Sequence, residues 1–165
     1  MANRTAWTAG NGAGLTWTTA INQADLASLA NGSTVLSSVA DIVNGANLDI
    51  YADISVRMTV TSATPPAGAY FGLYLAALLD DGVTYGDGAL TSGSVITRAP
   101  PYALVGSIPL ETAAAATLLA GFAQGIIIPP GSFRFALYNG SGAALSSTGS
   151  NCIVAYRTYN MNLNN

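Results

Sequence analysis

Apolar and polar residues alternate most regularly over residues 49–61, in the segment DIYADISVRMTVT. One face of this segment carries only apolar side chains, namely Ile50, Ala52, Ile54, Val56, Met58 and Val60. The opposite face carries Asp49, Tyr51, Asp53, Ser55, Arg57, Thr59 and Thr61. A period of two over a stretch of this length predicts a half-buried β-strand, and no helical spacing fits it.

Further strands are predicted in the segments 34–43, 70–79, 102–110, 117–128, 132–138 and 152–159. Turn signals such as Asn44-Gly45, Pro129-Pro130-Gly131 and Asn139-Gly140 separate them. Roughly eight strands punctuated in this way favour an all-β, two-sheet antiparallel sandwich over alternating strands and helices. Because the loops are too uneven in length for simple meanders, we expect the sandwich to be of the jelly-roll type.

One short helix is predicted near the N-terminus, over residues 22–30 (NQADLASLA). Asn22 is a good N-cap, Asp25 lies in the first turn, and Leu26 and Leu29 share one face. Asn31-Gly32 supplies a stop signal after it. The predicted organisation is an N-terminal arm over residues 1–20, a jelly-roll domain over 21–160 and a polar tail over 161–165.

The arm contains two tryptophans, Trp7 and Trp17, within a sequence rich in Gly, Ala, Thr and Asn. Two interpretations stay open for them. Either the arm is loosely held until Trp7 or Trp17 enters a pocket on a partner, or both side chains cap the core of their own domain. Trp7 and Trp17 are therefore the candidate partner-interface residues.

The residue types present exclude most catalytic chemistry. The chain has no His, and its five basic residues are all Arg, so Ser-His-Asp, Cys-His, Schiff-base and P-loop mechanisms are not available. A carboxylate-pair mechanism remains, but Glu111 is the one Glu beside seven Asp. The single Cys152 fits a small apolar side chain in a strand better than a reactive thiol. We therefore expect no enzyme, no catalytic residues and no cofactor.

Charge is scarce: 8% of the residues are charged and the net charge is −3. The five Arg are spread over the chain and form no basic stripe, which argues against nucleic acid as a partner. A lone monomer with so few charges is poorly protected against self-association. This balance predicts a surface of Ser, Thr, Asn and Gly that is partly covered by partners.

Two targeting alternatives are weak. The first residues, MANRTAWTAGNGAG, lack the apolar core of a signal peptide. The uncharged segment 112–133 is long enough for a membrane span, but Gln124, Gly121, Gly125 and the Pro129-Pro130 pair interrupt it. A buried strand ending at the Pro-Pro-Gly turn is favoured, and no membrane partner is expected.

Candidate binding sites are few. Asp80, Asp81 and Asp87 lie in a Gly-containing segment that suits Ca²⁺, yet the spacing lacks the EF-hand pattern, and a solvated loop is favoured over a metal site. Tyr70 and Tyr74 share a strand face and Tyr51 points away from the core, as in a sugar-stacking platform, although subunit contacts explain them equally well.

Other polar positions have simple structural interpretations. The Asn-Gly-Ser sequences at Asn31 and Asn139 match a glycosylation pattern but are better explained as turns. Asp49 and Asp53 are expected near Arg57, and Arg134 lies on the polar face of its strand. Exposed ion pairs of this kind contribute little stability and imply no function.

Five segments together resemble a family of small head proteins of tailed phages that decorate or cement the outside of the capsid. They are ADLASLANGSTVLSS, LDIYADISVRMTV, LDDGVTYGDG, GIIIPPGSFRFALYN and IVAYRTYN. The resemblance extends over residues 24–160 and leaves the N-terminal arm outside. It implies a jelly-roll subunit that joins the shell as a homodimer or homotrimer, clamps neighbouring major capsid subunits, binds no cofactor and catalyses nothing.

The expected function is therefore that of a structural virion protein, located on the capsid surface and in the host cytoplasm during assembly, with the major capsid protein and itself as partners. A phage tail or head-fibre adhesin, or a carbohydrate-binding jelly-roll module, is the alternative. A carbohydrate-active enzyme would need two carboxylates roughly 5–10 Å apart in a cleft, and the sequence places no Asp pair in that way.

Overall fold

The computed structural model describes residues 4–9, 15–45, 48–61, 64–79, 84–85, 93–100, 102–110 and 118–164. Within 4–9 and 161–164 the description covers the backbone. The strands are β1 Arg4–Ala9, β2 Thr18–Ile21, β3 Ser33–Leu36, β4 Ile42–Asn44, β5 Tyr51–Thr59, β6 Tyr70–Ala77, β7 Val95–Ile96, β8 Ala103–Pro109, β9 Leu118–Ile127, β10 Gly131–Gly140 and β11 Ile153–Asn164. A one-turn helix, α1, spans Gln23–Leu26.

The strands form two antiparallel sheets. The first has the order β1-β11-β5-β9, with β2 also paired to β11, and the second has the order β7-β3-β10-β6-β8, with β4 also paired to β10. The chain crosses between the sheets after β2, β4, β5, β8, β9 and β10. This repeated crossing, with the last strand beside the first two, is the jelly-roll arrangement. The predicted two-sheet jelly-roll sandwich is thus confirmed.

The core lies between the inner faces of the sheets and includes the apolar face of β5. Ala52, Ile54, Val56 and Met58 are at most 1% exposed, as the alternating pattern predicts. Ile50 departs from the pattern: it precedes β5, is 51% exposed, and donates its backbone N–H to Asn160 Oδ1 at 2.9 Å.

The polar face of β5 is not a uniformly solvated surface. Asp49 is 5% exposed and Asp53 is 3% exposed. Both carboxylates are buried because neighbouring elements supply donors to them; Asn160 Nδ2, for example, lies 3.0 Å from Asp49 Oδ1. The predicted ion pairing of Asp53 with Arg57 is wrong, because Asp53 pairs with Arg157 instead and Arg57 is exposed.

The predicted helix begins as expected but ends early. Asn22 Oδ1 accepts the N–H of Ala24 at 3.2 Å, which is the expected N-cap. Ser28 has a φ of 59°, a left-handed conformation that interrupts a helix, and its N–H donates to Ser146 O at 3.1 Å. Leu26 and Leu29 are nevertheless both buried in the core, so burial of the apolar side chains does not require the last predicted turn.

The predicted arm and tail are joined in one sheet. Strand β1 pairs with the end of β11 from Arg4 opposite Asn164 to Ala9 opposite Tyr159, and β2 pairs with the start of β11. Of the predicted polar tail over residues 161–165, the described residues 161–164 form the end of β11. Backbone hydrogen bonds hold an edge strand whatever its side chains are, so a polar composition did not prevent strand formation.

The predicted strand over 34–43 is divided into β3 and β4, which both pair with β10. Between them the Ser37 Oγ accepts the N–H of Val39 at 3.0 Å, so a side chain replaces the strand partner. The strand predictions at 70–79, 102–110, 117–128, 132–138 and 152–159 correspond to β6, β8, β9, β10 and β11.

The uncharged segment 112–133 contains β9 and the start of β10, separated by Pro129 and Pro130. Strand β9 is half-exposed rather than buried, because every second side chain from Leu118 to Gln124 is exposed. Among the described residues, no helix is long and apolar enough to cross a lipid bilayer.

Candidate functional site

A β-bulge on the outer face of the first sheet shapes a cleft. Ala52 pairs with Ile126 and Ile54 pairs with Ala123, so Gln124 and Gly125 on β9 both lie opposite Asp53 on β5. Gly125 has a φ of +64°, which glycine adopts without strain. The bulge turns the Gly125 N–H toward the Asp53 carboxylate.

Asp53 is the centre of a hydrogen-bond network that joins three strands. Its Oδ2 accepts from Arg157 Nε at 3.0 Å and from Arg157 Nη2 at 2.8 Å. Its Oδ1 accepts from the Tyr159 hydroxyl at 2.9 Å and from the Gly125 N–H at 3.1 Å. Four donors satisfy a buried carboxylate, so the network fixes β9 and β11 to β5.

The Tyr159 hydroxyl stays protonated over the physiological range. Burial, together with the hydrogen bond to Asp53 and the charge of that carboxylate, raises the pKa of Tyr159 to about 12. The ring also stacks on Tyr51, with centroids 5.8 Å apart. Tyr159 therefore acts as a fixed donor in the floor of the cleft.

Two aromatic side chains lie beside the cleft, next to its lining residue Arg157. The Arg157 guanidinium carbon lies 4.8 Å from the ring centroid of Trp17. The Trp17 ring makes an edge contact with Phe122 at 5.6 Å between centroids. Trp17 and Phe122 remain 41% and 44% exposed, so both rings present apolar surface to solvent.

The cleft has a volume of about 390 Å³ and is lined by Leu15, Asp53, Gln124, Gly125, Arg157 and Tyr159. Its lining contains one carboxylate, and four donors already hold that carboxylate. It also contains the guanidinium that neutralises it. This arrangement suits the binding of an uncharged group better than proton transfer, which needs a carboxyl free to exchange its proton.

A second surface lies where the edges of the two sheets meet. Strands β8 and β9, which we call the β8–β9 edge, are the last strands of their sheets and contain no charged residue. Leu104 on β8 is 56% exposed, Leu118 on β9 is 55% exposed and Ile127 is 73% exposed. Natural edge strands usually carry charges, Pro or bulges that prevent pairing with other chains. Strands β8 and β9 carry no charge, although β8 ends at Pro109 and β9 contains the bulge at Gln124 and Gly125.

An apolar groove continues this edge. It has a volume of about 610 Å³ and its lining includes Leu75, Ala77, Tyr102, Val105, Ile127 and Pro129. Val105 of β8 and Ile127 of β9 both line this groove, so the groove adjoins the β8–β9 edge. Exposed apolar surface of this kind is often covered by a partner.

Trp7 and Trp17, the predicted partner-interface residues, lie on different strands or connections of the first sheet and have different neighbours. Trp17 contacts Phe122 and Arg157 of its own chain, on the outer face of the sheet rather than over the core. Trp7 lies in β1 opposite Met161, and its side chain is outside the described residues.

The predicted tyrosine platform is not a free surface. Tyr74 is 7% exposed and belongs to a cluster on the outer face of the second sheet with Leu36, Ala76, Tyr85, Tyr102 and Ala136. The rings of Tyr70 and Tyr138 lie 5.6 Å apart beside it. Burial, with a smaller effect of these two tyrosines, raises the pKa of Tyr74.

Arg134 joins a second polar cluster on that sheet. Its Nε lies 2.5 Å from Asp41 Oδ1, and its guanidinium carbon lies 5.2 Å from the ring centroid of Tyr85. Burial alone would raise the pKa of Asp41, but the hydrogen bonds from Tyr85 and Arg134 and the charge of Arg134 lower it. The cluster joins Tyr85 to Asp41 and Arg134 on the outer face of the sheet.

The remaining predicted positions are structural or lie outside the described residues. Cys152 is fully buried, and burial raises the pKa of its thiol, which confirms the interpretation as a core side chain. Asp80, Asp81 and Asp87 of the calcium hypothesis lie outside the described residues. Among the residues that are described, no group of three potential metal ligands occurs.

In the Asn139 sequence motif, Asn139 and Gly140 are the last residues of β10, and the bend after the strand begins at Ser141. The Asn139 Nδ2 donates to Leu29 O and to Ala143 O, each at 2.9 Å, and its Oδ1 accepts the Ser141 N–H at 3.1 Å. At the other motif, Gly32 has a φ of +78° in the turn that follows Asn31. The Asn31 motif agrees with the interpretation as a turn, whereas the Asn139 motif joins the end of β10 to the bend that follows it.

Sequence reasoning missed the network of Asp53, Arg157 and Tyr159. One signal was available: Arg157 and Tyr159 share a strand face by alternation, and Asp53 lies on the polar face of another strand. Because only 8% of the residues in this chain are charged, each charged side chain on a strand is a candidate for a specific ion pair. The partner strand, however, follows from the sheet order and not from the pattern.

Comparison of the chain with models of known protein families gives no match. Comparison with curated proteins gives no match either.

Proposed function

We propose that this chain is a non-enzymatic structural protein of a virion, which binds the outside of a tailed-phage capsid and stabilises contacts between major capsid subunits. The uncharged β8–β9 edge is the observation that carries the proposal. The seven residues of β8 and the ten residues of β9 include no charged side chain that would oppose the approach of another chain. The sequence resemblance to capsid decoration proteins supports the same function.

The edge suits a permanent contact for two physical reasons. Strands at a sheet edge carry backbone N–H and C=O groups that a partner strand can pair with. The exposed side chains of Leu104, Leu118 and Ile127 and the adjacent groove supply apolar area, which is the main favourable term in association. Burial of about 1,000 Å² or more is the size expected of a specific interface.

A decoration protein stabilises a shell by binding the assembled state in preference to separate subunits. Two partners follow from the proposal: the major capsid protein, and further copies of this chain in a homodimer or homotrimer. The site of action is the capsid surface, reached from the host cytoplasm during assembly.

The test is sedimentation of the purified protein with matching phage heads that lack it. Saturable co-sedimentation that raises the melting temperature of the heads is the expected result. Absence of binding, or binding that leaves the melting temperature unchanged, would overturn the proposal. Bovine serum albumin in place of the protein controls for trapping in the pellet.

A carbohydrate-binding module, alone or in a tail or head-fibre adhesin, is the second candidate. The tyrosine platform does not favour it, because Tyr74 is buried in a cluster with Tyr85 and Tyr102. The exposed aromatic side chains beside the cleft at the β9 bulge do favour it.

A further inference from the structure

We infer that the cleft at the β9 bulge binds one ring of a neutral saccharide. The inference goes beyond the proposed capsid function and does not depend on it, because the cleft lies on the outer face of the first sheet and not in the uncharged groove. Three observations carry the inference: exposed aromatic rings next to the cleft, fixed polar groups in its lining, and compensated charge.

The aromatic rings suit the apolar face of a sugar. Sugar rings have a C–H face that packs on aromatic side chains and hydroxyls at the rim that need hydrogen-bond partners. Trp17 and Phe122 are both more than two-fifths exposed although they contact each other. Leu15, 39% exposed, lines the same cleft. Together they give a local exposed apolar surface beside the polar groups of the cleft.

Polar groups in the lining of the cleft complete the site. The exposed Gln124 side chain lines the cleft and offers both an amide donor and a carbonyl acceptor, the pair that a hydroxyl group requires. Arg157 adds a planar guanidinium, whose Nε and Nη2 are fixed by Asp53. A few fixed polar groups beside apolar walls are typical of small-molecule sites.

Charge compensation selects against ionic ligands. The Asp53 carboxylate and the Arg157 guanidinium lie 2.8 Å apart, so their fields largely cancel outside the pair. An anionic ligand would have to compete with Asp53 for the same guanidinium, and a cation would meet a carboxylate already held by four donors. A neutral ring with hydroxyl groups meets neither penalty.

The site is also preorganised. The bulge is fixed by the hydrogen bond from the Gly125 N–H to Asp53, and Arg157 is held between Asp53 and Trp17. Groups that are already ordered lose little conformational entropy when a ligand binds. The hydrogen-bond network of Asp53 thus holds Arg157 and the bulge at Gln124 and Gly125 in place for a ligand.

The test uses the fluorescence of Trp17. The Trp7→Phe variant leaves Trp17 as the single tryptophan, because the chain has two. The variant is titrated with glucose, galactose, mannose, N-acetylglucosamine and cellobiose, and with glucuronate as an anionic comparison. We expect a saturable change in emission for at least one neutral sugar, with a Kd on the order of 1 mM, and weaker binding of glucuronate than of glucose.

Two further variants separate the site from general effects. Gln124→Ala in the Trp7→Phe background should weaken binding about tenfold, the loss of one or two hydrogen bonds. The matched control is Gln23→Ala, the same change at an exposed position of α1 outside the cleft, and it should bind as the parent does. Chemical-shift changes of the Gln124 and Gly125 amides in the unmodified protein give a second measurement that needs no variant.

The inference is overturned if no sugar in the panel gives a saturable response in either measurement, if glucuronate binds more tightly than every neutral sugar, or if Gln124→Ala and Gln23→Ala bind equally. None of these outcomes affects the capsid proposal, which sedimentation with phage heads tests separately.

Discussion

Arg157 on β11 and Asp53 on β5 lie directly opposite each other in the register of the first sheet, and the Arg157 Nε and Nη2 both donate to Asp53 Oδ2. The pair is asymmetric in exposure, because the Asp53 side chain is 4% exposed and the Arg157 side chain is 26% exposed. The carboxylate is therefore the member that depends on its donors, while the guanidinium retains contact with solvent.

Replacing Asp53 tests this dependence. We expect Asp53→Asn to lower the free energy of unfolding by about 2–4 kcal/mol, because the change removes the charge that pairs with Arg157 and places an amide N–H₂ against existing donors. Urea denaturation followed by circular dichroism measures the loss. The control is Arg57→Gln, at an exposed position on the same strand face, which should change stability by about 0.5 kcal/mol or less. A larger loss for the Arg57 variant would contradict the pairing.

Alkaline pH should weaken the fold through Tyr159. Because the pKa of Tyr159 in the fold is raised from 10.0 to about 12, the unfolded chain releases this proton first as the pH rises. The stability that the protonated hydroxyl contributes is fully present below about pH 10 and is lost as the pH rises toward about 12. Tyr85, also raised to about 12, adds to the same trend.

The measurement is the free energy of unfolding as a function of pH between these two pKa values. Tyr159→Phe should show a shallower decline than the parent, although it is less stable at neutral pH by about 1–2 kcal/mol because it lacks the hydrogen bond to Asp53. Equal declines in the two proteins would show that Tyr159 does not titrate as described.

Charge on the β8–β9 edge should abolish association without unfolding the protein. We expect Leu104→Lys to lower the mass of any self-assembly and to prevent co-sedimentation with phage heads, because a desolvated unpaired charge opposes burial of the edge. Val43→Lys is the matched control, since Val43 is 72% exposed on β4. Light scattering after gel filtration reports the mass, and equal behaviour of the two variants would argue against an interface at this edge.

Gly121 keeps the two edge strands close together. A Cβ at this position would lie 2.1 Å from Ile108 Cγ2, so Gly121→Ala requires the β8 and β9 strands to shift. We expect a loss of about 1–3 kcal/mol in the free energy of unfolding, which is typical of an overpacked core. Gly45→Ala is the control, because its Cβ would meet Val43 Cγ1 at an ordinary 3.6 Å. A neutral effect of Gly121→Ala in urea denaturation would mean that the strands separate easily.

Much of the architecture could be predicted from the pattern of side chains. The period of two in β5 identified the buried residues from Ala52 to Val60, and Asn22 was identified as the helix N-cap. The errors occurred where a local pattern competes with a contact from elsewhere in the chain. The helix ends at Leu26 because Ser28 adopts a positive φ and donates to Ser146, a contact that no local propensity includes.

The candidate site was predictable only in part. Trp17 was singled out by its position, but its contacts with Phe122 and Arg157 join residues separated by more than a hundred positions in the chain. The cleft also requires the bulge at Gln124 and Gly125, and a bulge is a mismatch between two strands. A pattern within one strand cannot specify it.

The sequence by itself determined that the protein is a β-sandwich, which face of β5 is buried, that Cys152 is a core residue, and that the surface carries few charges. These properties follow from alternation and composition, which act over a few residues. Only the tertiary structure decided that Arg157 and Tyr159 meet Asp53, that β1 pairs with the C-terminal end of β11, and that β8 and β9 are edge strands. The physical reason is that strand order and register are fixed by packing between distant segments.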